Sequence, residues 1–298
     1  MRNGNNLRKL GTAALCLAIG GLAASTGATD LKPGSDSPSR NGKLAVGMTA
    51  DHRLVVFKLE SPSRAKEIGA ITGLVGDTSL VGIDYRPKTG VLYALGNGGG
   101  VYTIDEKTAV ATLRVNLDPP TPLVGTSFDV DFNPTVDRMR VVSDAGQNLR
   151  INVETGATTS DPGLNNGAVP PVAVTGVSGA AYTNNDADPN TNTTLFDVNA
   201  ALDQVAIQSP ANAGAVVATG GLLVDAGADV GFDIYSRLKN GVVDRRRAYL
   251  VATVAGPKGP ENNAYRINLL TGAARKTGRF DTQSPVVDLA IPTDRVSP

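Results

Sequence analysis

The chain has no tryptophan, one histidine and one cysteine in 298 residues, and aromatic residues make up only 4% of it. Each scarcity removes a class of chemistry. Without tryptophan and with so few aromatic rings, the stacking platforms that hold sugars and single-stranded nucleic acid are not to be expected. The lone His52 rules out multi-histidine zinc sites, and no Gly-x-Ser-x-Gly elbow accompanies it, so a serine-hydrolase triad is not indicated. Cys16 lies inside the only long apolar run, Leu10 to Ala24, which follows Arg2, Arg8 and Lys9. That arrangement reads as a secretory signal peptide covering residues 1–28, cleaved after Ala24 or Ala28, and it is too short for a bilayer-spanning helix. The exported chain would then contain no cysteine, which excludes disulfides, thiol catalysis and cysteine-held metals.

Charge is equally sparing. The chain carries 28 basic and 28 acidic residues. Residues 1–28 hold three of the basic ones and none of the acidic, which leaves 25 against 28, a net charge of −3. No surface here attracts nucleic acid or an anionic membrane. The one basic cluster, Arg245-Arg246-Arg247, flanks the apolar run AYLVATV and reads as a solvated strand end. Residues 29–42, TDLKPGSDSPSRNG, have no apolar periodicity and read as a linker, leaving 43–298 as one domain large enough for a substantial core.

What is present is a repeat. Displaced by 47 residues, LVGIDYRPKTGVLYALGNGGGVYTIDEKTA falls on SFDVDFNPTVDRMRVVSDAGQNLRINVETG, with Asp84 on Asp131, Pro87 on Pro134 and Thr108 on Thr155. No sustained 3.6-residue periodicity follows the linker. The segments are short, alternating, and punctuated by Gly, Asn, Asp and Pro, so the repeat predicts β-propeller blades. Five segments qualify as first strands: VGIDYRP at Val81, FDVDFNP at Phe128, VSGAAYTN at Val177, VGFDIYSR at Val230 and VVDLAIP at Val286. The last has no strands after it, while the segment from Leu44 has later strands and no first one. An all-β, five-bladed propeller closed by its N- and C-terminal segments is the expectation, with six blades or a β-sandwich as alternatives. The fourth blade is irregular, and its second strand is not assignable around DADPNTNTT.

From about Gly42 onward the chain resembles an exported bacterial family known only as a domain of unknown function. The resemblance rests on DFNPTVDRMRVVSDAGQNLR, supported by AYTNN, TTLFDV and QSPANAG. It implies propeller-like repeats and export, and leaves the chemistry open.

Two clusters stand out as candidate sites. In the first, Asn133 and Asp137 flank a tight turn fixed by Pro134 and are placed to bond nearby backbone, while Arg138 and Arg140 share one strand face, as do Asn148, Arg150 and Asn152. The arginines are expected to pair with Asp129, Asp131 or Asp137 across blades; a ligand clamp made of Asn133, Asp137, Arg138, Arg140, Asn148 and Arg150 is the alternative. In the second, the inner-strand acids Asp84, Asp131 and Asp233, with Asp288, would converge on a central channel, where like charges require a cation, a proton or arginines. Calcium is the cofactor that such an oxygen set admits, with Asp84, Asp131 and Asp233 as its ligands; the alternative is pairing with backbone amides and arginines. Asp186, Asp188 and Asn190 have the alternate spacing of a calcium loop without its glycine and distal glutamate, and GNGGG at residues 96–100 reads as a hairpin turn rather than a phosphate loop. Function at this level is a non-enzymatic binding or scaffold protein of the extracellular or envelope space, its partner a protein, an envelope polymer or a small ligand. The alternative is a calcium-dependent hydrolase of lactonase type.

Overall fold

A computed structural model describes residues 43–184, 191–239 and 242–293. Strands β1 (Leu44–Thr49), β2 (Arg53–Lys58) and β3 (Ser61–Ala70) begin the fold, followed by β4 (Leu80–Arg86), β5 (Val91–Gly96), β6 (Gly100–Ile104) and β7 (Ala111–Asn116). Next come β8 (Phe128–Asn133), β9 (Arg138–Ser143), β10 (Asn148–Ile151) and β11 (Thr158–Ser160), then β12 (Val177–Tyr182), β13 (Leu195–Asn199), β14 (Gln204–Gln208) and β15 (Val216–Gly221). The fold ends with β16 (Val230–Lys239), β17 (Val242–Gly256), β18 (Gly259–Ile267), β19 (Ala274–Arg279) and β20 (Val286–Ala290). They form five antiparallel sheets of four strands, and the first blade is β20-β1-β2-β3. The protein is therefore a five-bladed β-propeller whose first blade takes its inner strand from the C-terminal end, with Val46 opposite Ala290 and Met48 opposite Asp288. All five first strands read from the sequence are the inner strands.

Each seam between blades has its own apolar cluster. Strand alternation produces this: one face of each sheet meets the blade before it, the other the blade after it, so both faces are buried and inner strands are nearly continuous in apolar and small residues. Around the ring the inner strands crowd, and a Cβ on Gly231 would lie 2.4 Å from the Asp288 Cα. The Thr-Gly hairpins of blades 3 and 5 also behave as the sequence implies. Gly156 and Gly272 have φ of 79° and 75°, and a Cβ on either would strike the carbonyl oxygen of Asn116 or Gly220 in the preceding blade.

The second strand of blade 4, left open by the sequence, is β13, LFDVN. Asp186, Asp188 and Asn190 lie outside the described residues, as do residues 1–42 with their expected signal peptide and linker. Among the described residues no helix is long and apolar enough to cross a membrane.

Candidate functional site

The 47-residue repeat places aspartates at matching heights on the inner strands, and each carboxylate accepts a backbone N–H from the next blade. Phe132 N–H donates to Asp84 at 2.8 Å, and Tyr182 N–H to Asp131 at 3.2 Å. Ile291 N–H donates to Asp233 at 2.6 Å. Two residues earlier on their strands, Asp129 accepts from Ala180 N–H at 2.8 Å and Asp288 from Ile83 N–H at 2.7 Å. Blade 4 has Gly179 and Ala181 at the matching positions. Its link to blade 5 is instead the Asn184 N–H donating to Ser236 Oγ at 3.0 Å.

Asp84, Asp131 and Asp233 each bring one oxygen to within 4.8 Å of the others, and all three are buried. Burial and the Asp233 charge hold the Asp84 carboxyl well above its ordinary value. Burial, then Asp84 and Asp233, do the same to Asp131. Asp233 is pushed up to about 7 and Asp288 to about 8, in each case chiefly by burial. The sequence-predicted convergence of three acids is thus present, and Asp288 sits two residues off their level. Such a group can share protons or hold a cation.

The arginine cluster is assembled differently from the expectation. Asp129 and Asp131 are engaged by backbone amides and do not pair with arginine. Arg140, 1% exposed, donates to Asp161 at 2.7 Å, to Asn148 Oδ1 at 2.7 Å and to Asn212 Oδ1 at 2.7 Å, with the Tyr182 hydroxyl at 3.3 Å. Arg150 stands opposite Arg140 in the ladder and grips the same Asp161 through two bonds of 2.7 and 2.8 Å. Burial raises Asp161, but the Arg150 and Arg140 bonds outweigh it and hold the carboxyl below its ordinary value. Arg138 donates to the Val136 and Asp137 carbonyls in its own turn. Asp137 instead accepts from Arg86 of blade 2 at 2.7 and 2.6 Å, which lowers its pKa, and Asn133 caps the turn amides of Thr135 and Val136. Of the six clamp candidates, then, Arg140, Asn148 and Arg150 meet at the seam between blades 3 and 4. Asn133, Asp137 and Arg138 stay at the β8–β9 turn.

The four segments that carry the family resemblance converge on that seam: Arg140 and Asn148 from the first, Tyr182 from AYTNN, Asp197 from TTLFDV, Gln208 and Asn212 from QSPANAG. Asp197 is fully buried, and neither of its carboxylate oxygens has a hydrogen-bond partner. Burial pushes it up to about 8, against the opposing pull of Arg140. Sequence reading missed Asp161, which lies outside those segments, and it gave no role to Asn212 within QSPANAG or to Asp197 within TTLFDV. GNGGG is a hairpin turn as read, and its amides are occupied from within: Asp77 accepts from Gly98 and Gly100 N–H and from the Tyr102 hydroxyl.

An opening lies elsewhere, at the end of the ring where the inner strands begin. A cavity of about 260 Å³ is lined there by residues of four blades, including Thr49, His52, Thr126, Ser127, Asp229 and Asp288. His52 has a φ of 60° and a buried Nδ1 without a partner. No sequence signal marked this place, since each segment contributes only two to four residues.

No curated protein matches the chain. Among solved structures it is similar to a chain of a nidogen/laminin complex, at 11% identity and a TM-score of 0.45, covering 85% of this chain and 99% of that one. A protein of unknown function from Bacteroides thetaiotaomicron gives 12% identity and a TM-score of 0.45, with 86% and 66% covered. An auxiliary nutrient binding protein from the same organism gives 12% and 0.39, with 75% and 57% covered. Likeness at this level carries no argument about function. A family model described as a domain of unknown function, DUF4394, matches residues 53–290, nearly the whole propeller from β2 to β20. By that match the chain belongs to the DUF4394 family.

Proposed function

We propose that this protein is an exported binding protein that takes a small polar ligand at the mouth of its channel. The observation that carries the reading is the cavity at the start of the inner strands, lined by four blades and edged by hydroxyls, an imidazole and carboxylates. Concave sites with a few converging polar groups on a rigid scaffold are where small ligands bind. The arginine cluster supports a scaffold role instead, because the Arg140 and Arg150 guanidinium groups are engaged by neighbours within the protein. Export rests on the signal-like residues 1–28 and the cysteine-free remainder. The test is a thermal-shift screen of small polar metabolites against the wild type and Ser79→Trp, which fills the cavity. Ligands that raise the melting temperature of the wild type alone support the reading. A panel without a hit, or hits that persist in Ser79→Trp, would contradict it.

A second reading is favoured by the acid triad. Oxygens within 4.8 Å of one another suit a cation that holds its ligands at about 2.3–2.6 Å, so Asp84, Asp131 and Asp233 fit calcium geometrically. The triad sits at mid-strand with its residues at most 5% exposed. A cation there would brace the inner strands, and a substrate could not reach it, which argues against a lactonase-type role for this cluster. A melting temperature that rises with added Ca²⁺ and falls with a chelator supports the bracing cation; no change in either direction removes it.

A further inference from the structure

Three of the four hydroxyls around the mouth, those of Thr49, Thr126 and Ser127, have spent their protons. A hydroxyl has one hydrogen to donate and two lone pairs to accept with. Thr49 Oγ1 donates to Asp51 at 2.6 Å, and Thr126 Oγ1 donates to Asp144 at 2.6 Å. Ser127 Oγ donates across the mouth to the Ala228 carbonyl at 3.3 Å. What these side chains still offer the cavity is lone pairs, one of those on Thr49 Oγ1 being taken by the Arg53 N–H at 3.0 Å. The lining adds the Asp229 carboxylate; the Asp288 oxygens already accept from Ile83 and Leu289 N–H, the Ser79 hydroxyl and the His52 imidazole are its side-chain donors, and it contains no Lys, Arg, Asn or Gln. Behind it, the Thr49 bond lowers Asp51; burial raises Asp144, but the bonds from Thr126 and neighbouring amides outweigh that and leave it lowered, so two anions stand behind the rim.

A cavity rich in acceptors and poor in side-chain donors discriminates by charge and by hydrogen-bond polarity. An anionic guest would meet like charge and unpaired lone pairs, and leaving such groups desolvated without a donor weakens its binding. A guest that donates several hydrogen bonds and carries positive charge satisfies them all. The walls meanwhile include Leu80, Phe128 and Val230, and the volume exceeds that of a bare ion, so the guest has an apolar body. Resting on the binding reading above, we propose that the mouth selects an organic ammonium: a protonated amine whose head is held by the Thr126 and Thr49 oxygens and Asp229, with its carbon chain against Phe128.

Three isosteric probes and one ion test this by NMR titration of the whole domain: butylammonium, butyrate, butan-1-ol and Ca²⁺. Butylammonium is expected to shift resonances of the lining residues and to bind more weakly as ionic strength rises. Asp229→Asn, at an exposed position that leaves the fold intact, should weaken it roughly two- to fivefold, the range for an exposed charge pair. Asp281→Asn, exposed beside Arg279 in the loop before β20 and outside the lining, should leave it unchanged. Butyrate or butanol binding at the mouth as tightly as butylammonium would overturn the ammonium assignment while leaving the binding reading in place. So would Ca²⁺ filling the site to the exclusion of butylammonium. If none of the four perturbs the lining, both readings fall together.

Discussion

The two seams that flank blade 4 are built on opposite principles. Against blade 3 it presents Tyr182 and Asn212 to the buried Arg140 and Gln208 to Asn148, with the unpartnered Asp197 beside them, and two blade-3 aspartates staple its inner strand through the amides of Ala180 and Tyr182. Against blade 5 it presents Ala181, Phe196, Val198 and Val205 to Val230, Phe232 and Leu250, with no inner-strand aspartate. The first seam specifies which groups meet, because every polar partner displaced leaves another unpaired. The second is held chiefly by area and shape, with the Asn184 N–H on Ser236 Oγ and the Thr219 hydroxyl on the Leu269 carbonyl as polar links. Both lie in one closed ring, so the difference is one of composition rather than of exposure.

The largest effect should come from a change that touches neither seam. Deleting residues 286–298 removes β20, and with it the partner of β1 and the Asp288 staple to Ile83. If the seams depend on ring closure, cooperative melting of the whole propeller is lost, as calorimetry would show. A single transition at the wild-type temperature would mean that the blades stand independently.

Next in size are two substitutions that break one seam each. Arg140→Met keeps much of the side-chain volume while stranding Asp161, Asn148 and Asn212, and should cost about 3–5 kcal/mol in denaturant unfolding. Phe232→Ala, at a residue 1% exposed in the apolar seam, should cost about the same through lost burial and a cavity. Similar totals with different causes sharpen the contrast. Stability of Phe232→Ala should keep the wild-type pH profile, whereas Arg140→Met alters it through Asp161 and Asp197.

The pH profile itself separates the seams. Asp197 and Asp288, pushed up to about 8, and Asp233, pushed up to about 7, bind protons in the folded protein that the unfolded chain releases near its ordinary carboxylate value of about 4. The stability they contribute is fully present below that unfolded value and is lost as pH rises toward 8. The melting temperature should therefore fall between about pH 4 and pH 8. Asp197→Asn should flatten the slope by about one proton; an unchanged slope would show that Asp197 titrates normally. The smallest effect belongs to Arg138→Met, whose guanidinium bonds only turn carbonyls, and a change beyond about 0.5 kcal/mol would be unexpected.

The fold was legible because it repeats. Asp84 and Asp131, 47 residues apart, occupy the same height and each takes an amide from the following blade. An unpaired first strand at one end and unpaired later strands at the other foretold the closure. The arginine partners were illegible for a physical reason. Asp161 and Asn212 stand 21 and 72 residues from Arg140, in loops whose approach depends on the packing of two finished blades. Asp129 and Asp131 were nearer in sequence and chemically suited, yet the tight inner ring commits their oxygens to backbone amides. The mouth cavity left even less trace. Its character comes from where the hydroxyl protons of Thr49 and Thr126 point, and Asp51 and Asp144 decide that only once the loops are in place.

The most direct test of the binding reading is a crystal structure of the domain soaked in a butylammonium salt. The ammonium nitrogen should lie within hydrogen-bond distance of Thr126 Oγ1 and the Asp229 carboxylate, with the carbon chain against Phe128. A mouth filled only by water while the same cation is found elsewhere on the surface, or the counter-anion at Thr126 in its place, would contradict it.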